Sequence, residues 1–197
     1  MSYPTLRAVL RRTRTAPALP ATEHRLEIRL DGDTFAVVDL DGRTFGEVVA
    51  EATDPRGFGR MPRTMEGFMD ATSAALYGPP AAPSSFTGDL ATGLGTAIEA
   101  GGEPREAPAR LLAPIAEQVL AGDAVDGRDP VGEAEFLSRP CAEYRFALTG
   151  QDDGRAYRSD VRLLVWRGLV LLRDVHDAAV PGLRATAEVV ELDPIRW

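Results

Sequence analysis

The sequence predicts an α+β domain: an N-terminal β-hairpin, a helical middle section and a C-terminal antiparallel meander, sharing one sheet with helices on one face. Three observations predict it. Residues 24–40 hold two alternating runs, HRLEIRL and TFAVVDL, around an Asp-Gly turn. Residues 143–175 hold three more strand-like runs separated by Gly-bearing turns. Between them, apolar residues recur at helical spacing through about 64–121.

Residues 2–15, SYPTLRAVLRRTRT, read as a short amphipathic helix with Leu6, Val9 and Leu10 on one stripe. Arg7, Arg11, Arg12 and Arg14 surround that stripe, and APALPA follows as a Pro-rich tether. Residues 1–20 thus read as a basic arm ahead of a single domain at 21–197. The arm has four arginines and no acid, whereas the remainder sets 18 arginines against 30 acidic residues, for a net charge of −8 over the chain. Such an arm is expected to dock on an acidic surface of its own body, a second copy or another protein. The expected contacts are Arg7, Arg11, Arg12, Arg14, Leu6 and Leu10.

After the hairpin comes DGRTFGEVVAEAT, where Thr44 and Glu47 form a capping box that starts a helix. Gly42 and Gly46 are spaced G-x-x-x-G, without G-x-G-x-x-G and without a following Lys-Ser/Thr. The turn therefore reverses the chain and does not cradle a phosphate. Thr64 caps a helix at 65–77, and GPPAAPSS (78–85) breaks the chain. Residues 88–100 space Leu90, Leu94 and Ile98 by four, a helical pattern weakened by its glycines. Residues 107–122 form a better helix, with Leu112, Ile115 and Val119 on one face and Pro114 near its first turns. The acidic stretch 123–133 reads as a solvated loop, since it lacks the spacing of a calcium loop.

The last third alternates. Tyr144, Phe146 and Leu148 face one way in EYRFALT; Tyr157, Val161, Leu163 and Val165 do so in the next run. LVLLRDV (169–175) is apolar enough for a central strand, and LRATAEVVEL (183–192) makes a fourth.

Composition excludes several chemistries. All 22 basic residues are arginine, so no lysine exists to form a Schiff base, complete a Walker A loop or serve as a kinase strand lysine. The absence of Lys and Asn beside abundant Ala, Arg, Gly and Pro reads as the codon bias of a GC-rich bacterium. Cys141 is the only cysteine, which forbids an intramolecular disulfide. His24, His176 and Cys141 show no metal-ligand spacing, no cofactor motif occurs, and G-x-S-x-G is missing. No apolar run is long enough to cross a bilayer and the N-terminus lacks a leader-like core, so a cytoplasmic protein is expected. Its acidic body disfavours nucleic acid and anionic membrane as partners.

One segment could carry acid–base chemistry. In RDVHD, His176 is flanked by Asp174 and Asp177, and a carboxylate beside an imidazole raises its pKa and fixes its tautomer. Tyr157 could then orient a substrate, giving a catalytic set of His176, Asp174 and Tyr157. The main functional expectation is a non-enzymatic interaction or assembly protein that uses the basic arm. The alternative is a small-molecule pocket protein, or a cofactor-independent cyclase- or isomerase-type enzyme working near His176.

Overall fold

The computed structural model describes residues 3–17, 19–41, 43, 48, 56, 84–99, 102–152 and 155–193. Among them, eleven strands form one antiparallel sheet. In chain order these are β1 (Tyr3–Ala16), β2 (Leu19–Gly32), β3 (Thr34–Asp39), β4 (Ser85–Asp89), β5 (Leu94–Ile98) and β6 (Arg105–Pro108). Helix α1 (Ala109–Ala116), a 3-10 turn (Glu117–Val119) and the short α2 (Gly122–Val125) follow. The chain then makes β7 (Gly132–Phe136), β8 (Arg139–Asp152), β9 (Arg155–Trp166), β10 (Leu169–Asp177) and β11 (Arg184–Leu192). Across the sheet the order is β6-β5-β4-β3-β2-β1-β11-β10-β9-β8-β7.

The α+β expectation is corrected, because the described residues are nearly all strand and α1 is their one helix of eight residues. The first reversal is at the N-terminus. Residues 3–16 are not a helical arm but the sixth strand of eleven, paired with β2 on one side and β11 on the other. Leu6, Ala8 and Leu10 are the period-2 signal, and all three are buried. Val9 made the stretch look helical; it is buried too, where the pairing with β11 shifts register between Val9 and Leu10. β1 thereby joins the predicted N-terminal hairpin to the C-terminal strands in one sheet.

The second reversal is at 85–98, expected to belong to the helical section and found as the hairpin β4–β5. Asp89 Oδ1 accepts the N–H groups of Ala91 and Thr92 at 2.8 and 3.2 Å, and Gly93 takes φ +74° to complete the turn. Gly88 and Gly95 are required by close packing. A Cβ at Gly88 would stand 2.3 Å from Phe35 Cζ, and one at Gly95 would stand 2.8 Å from the Thr87 carbonyl oxygen. The helix expected over 107–122 is real only from Ala109 to Ala116, with Pro114 inside it. The helix expected after the Thr44–Glu47 capping box, that of 65–77, and the glycines at 42 and 46 lie outside the described residues.

The main core forms between α1 and one face of the sheet. Leu112 and Ile115 pack with Leu26, Ile28, Phe35, Val37 and Phe86, all fully or nearly fully buried. A second cluster holds Val161, Leu163, Val165, Val170 and Val175, flanked by the half-buried Tyr144, Phe146 and Leu148. At the start of β1, the Tyr3 hydroxyl donates to Glu117 Oε1 at 2.6 Å and ties the strand to the turn after α1.

Candidate functional site

Cross-strand partners in an antiparallel sheet share a face, so the register lets a surface be built residue by residue. Leu30, Phe35, Gly88, Gly95 and Ala107 are successive partners across β2–β6. Leu30 and Phe35 belong to the core with α1. The rows on either side must face the other way. One runs Arg29, Ala36, Thr87, Thr96 and Glu106; the other runs Asp31, Thr34, Asp89, Leu94 and Pro108.

These two rows line a cleft of about 860 Å³ on the side of the sheet away from α1. Its floor is made of small side chains, Ala36, Thr87 and Thr96, over the backbone of the two glycines. Crossing five strands at the usual inter-strand spacing makes it about 19 Å long. Leu94, 69% exposed, and Pro108 supply apolar surface near the β6 edge.

Charge stands at the two ends. Arg29 and Arg7 are directly opposed cross-strand partners, an arrangement that repulsion alone would disfavour. Glu27 resolves it: Arg7 Nη2 lies 2.6 Å from one of its oxygens and Arg29 Nη2 lies 2.5 Å from the other. The hydrogen bonds from Arg7, joined by those from Arg29, hold the Glu27 carboxyl below the usual range. At the other end Glu106 is exposed. Asp31 stands at the Arg29 end, where its Oδ1 accepts the Thr5 hydroxyl at 2.7 Å, and Asp89, midway, caps its own turn. The cleft therefore offers a floor of small side chains, the hydroxyls of Thr87 and Thr96, apolar surface at Leu94 and Pro108, and Arg29 beside Asp31 at its β2 end.

The residues expected from the sequence to be functional lie elsewhere. His176 and Asp174 are brought together on β10, with His176 Nε2 3.2 Å from Asp174 Oδ1. Asp174 is also gripped by Arg184, whose Nε and Nη2 donate at 2.7 and 2.9 Å. Burial alone would raise the Asp174 pKa; the bidentate Arg184 hydrogen bonds and charge, with His176 beside them, outweigh it and leave the carboxyl lowered. Tyr157 does not join them. His176 pairs with Asp160, and Tyr157 three residues away on β9 occupies the opposite face. There its ring covers Gly150, with the Arg56 guanidinium 4.4 Å from its centre.

The arginines and leucines expected in a docking arm are parts of the sheet. Leu6 and Leu10 are buried in the main core. Arg7 is bound to Glu27 and Glu191, and Arg11 Nη2 lies 2.7 Å from Glu188. Arg12 is buried and partnered, and Arg14 is half-buried opposite Thr22. Cys141 is buried, and burial pushes its thiol pKa up, away from a reactive thiolate.

The cleft residues were missed because residues 88–100 read as helix. A signal was present: in SFTGD the polar Ser85, Thr87 and Asp89 alternate with Phe86 and Gly88.

No family model matches the sequence, and no curated protein matches it. Solved structures do. One is a LolA superfamily protein of Nitrosomonas europaea, 8% identical, covering 96% of this chain and 85% of that chain at a TM-score of 0.34. Another is a provisionally assigned outer membrane lipoprotein-sorting protein domain of Vibrio parahaemolyticus, 10% identical, covering 95% and 84% at a TM-score of 0.28. Among the described residues, no helix is long and apolar enough to cross a membrane. The cytoplasmic expectation is withdrawn, because it rested on absences along the chain, which select no compartment.

Proposed function

We propose that this chain is a ligand-binding protein whose cleft across β2–β6 takes an extended, largely apolar small molecule. The observation that carries the reading is the cleft's floor. Ala36, Thr87 and Thr96 leave about 860 Å³ open above the sheet, within the range of small-molecule sites. A ligand about 19 Å long would lie across the strands, accept hydrogen bonds from Thr87 and Thr96, and reach Arg29 and Asp31 at the β2 end. Binding is favoured over catalysis because His176, Asp174 and Tyr157 stand on β9 and β10, beyond β1 and β11 from the cleft. The assembly reading gives way to this one, since the stretch expected to be a free arm is a central strand.

Fluorescence titration with 1-anilinonaphthalene-8-sulfonate, an apolar anion, tests the proposal. The wild-type chain should bind it saturably. Ala36→Phe, which fills the floor from the outer face, should weaken binding at least about tenfold while the melting temperature holds. Equal binding by the wild type and Ala36→Phe would remove the cleft from consideration.

A further inference from the structure

Among the described residues the sheet is open, and its edges are protected unequally. An unpaired strand edge is a template for another strand, and proteins blunt such edges by shortness, charge or proline. Both outermost strands follow that rule. β6 has four residues, among them Arg105, Glu106 and Pro108, and β7 has five, among them Glu133 and Glu135.

β8 does not follow it. It pairs with β9 from Ala142 to Asp152, but β7 covers it only from Arg139 to Glu143. Among the described residues, the outer edge of β8 from Tyr144 onward has no strand beside it. Its orientation follows from one hydrogen bond. The Val131 N–H donates to the Glu143 carbonyl at 2.7 Å, so the Glu143 backbone faces the β7 side. Alternation then directs the N–H and C=O groups of Arg145, Ala147, Thr149 and Gln151 outward as well. The stretch Arg145–Gln151 has no proline and only one charge, and Phe146 and Leu148 flank Ala147.

We propose that this edge pairs antiparallel with the same edge of a second copy of the chain, about a two-fold axis at Ala147. Self-complementarity selects that partner. With Ala147 opposite itself, Phe146 meets the second copy's Leu148 on one face, an apolar pair made twice. On the other face Arg145 meets Thr149, so no two like charges are opposed. Ala147 donates to and accepts from its own counterpart, and Arg145 and Thr149 extend the ladder on either side as far as the point where β7 begins to cover β8. The two sheets become one continuous sheet, and the least protected edge disappears. This pairing does not involve the cleft, which lies toward the other end of the sheet.

The register makes opposite predictions for two substitutions at one exposed position. Thr149→Arg places arginine against Arg145 twice, and Thr149→Glu places a carboxylate there twice. Sedimentation equilibrium of the full chain from about 1 to 200 μM should show a monomer–dimer equilibrium for the wild type. Dimerisation should weaken about tenfold in Thr149→Arg and strengthen severalfold in Thr149→Glu, with both differences shrinking in 1 M salt. Hydrogen exchange should show the Ala147 and Thr149 amides becoming protected as wild-type concentration rises. A wild type that stays monomeric throughout overturns the proposal. So does a dimer with equal affinity in both variants, or with Ala147 and Thr149 amides that exchange independently of concentration. Either result would place the contact elsewhere.

Discussion

The ring of Phe35 lies directly over Gly88, its cross-strand partner, so closely that a single added carbon on Gly88 would reach within 2.3 Å of Phe35 Cζ. This pair keeps the core face tight where the opposite face opens into the cleft. Gly88→Ala should push the ring out of its place against Tyr3 and cost about 1–3 kcal/mol in a denaturant titration. A Gly88→Ala chain as stable as wild type would show that the ring has room to move.

A buried ion pair closes the end of β3. Asp39, fully buried, accepts the Arg43 Nε–H at 2.9 Å and the backbone N–H groups of Asp41 and Arg43 at 3.0 Å. The Ser84 hydroxyl donates to the Arg43 carbonyl at 2.6 Å, which links the start of β4 to the same point. Asp39→Ala removes one charge and leaves several buried donors without their acceptor. It should cost about 3–5 kcal/mol, and Asp39→Asn less, by chemical denaturation.

The Tyr3–Glu117 hydrogen bond is isolated by deletion of one oxygen. Tyr3→Phe should cost about 1–2 kcal/mol. Burial first, and then the Glu117 carboxylate, raise the Tyr3 pKa above the ordinary phenol range. An ultraviolet titration should therefore show one tyrosine ionising later than the rest, and Tyr3→Phe should remove that late step alone.

Acid sensitivity follows from three carboxylates. Glu27 is lowered by Arg7 and Arg29 and Glu143 by Arg145 and Arg162, while Asp174 is lowered by Arg184 against the opposing effect of burial. A depressed folded-state pKa gives stability that is present above the unfolded-chain value, near pH 4, and lost as pH falls through the folded value. Melting temperature should be flat from pH 6 to 8 and fall below about pH 4. Asp174→Asn should melt lower at neutral pH and show a shallower acid decline; a parallel decline would assign the effect to other groups.

The β7–β8 turn carries strain. Leu137 and Ser138 both take positive φ, +52° and +55°, in a two-residue hairpin that favours Asn-Gly. Leu137→Asn should stabilise the chain by about 1 kcal/mol in thermal melts, because asparagine tolerates the left-handed region.

The sequence by itself determined the strands whose signals are local. HRLEIRL, TFAVVDL and the alternating runs after Glu143 each bury one face and meet at short turns, and such patterns need no knowledge of neighbours. It determined the chemistry that a chain without lysine and with one cysteine must forgo. Tertiary structure decided β1 and the hairpin β4–β5. Leu6, Val9 and Leu10 satisfy a helix as well as a strand, and only the two flanking partners β2 and β11 satisfy fourteen residues of backbone in extended form. Gly88 and Gly95 look like weak points in a helix until the Phe35 ring and the neighbouring carbonyls are brought against them. The cleft was illegible for the same reason. Its two rows take one residue from each of five strands, so they exist only once the register aligns residues up to 79 positions apart, from Arg29 to Pro108.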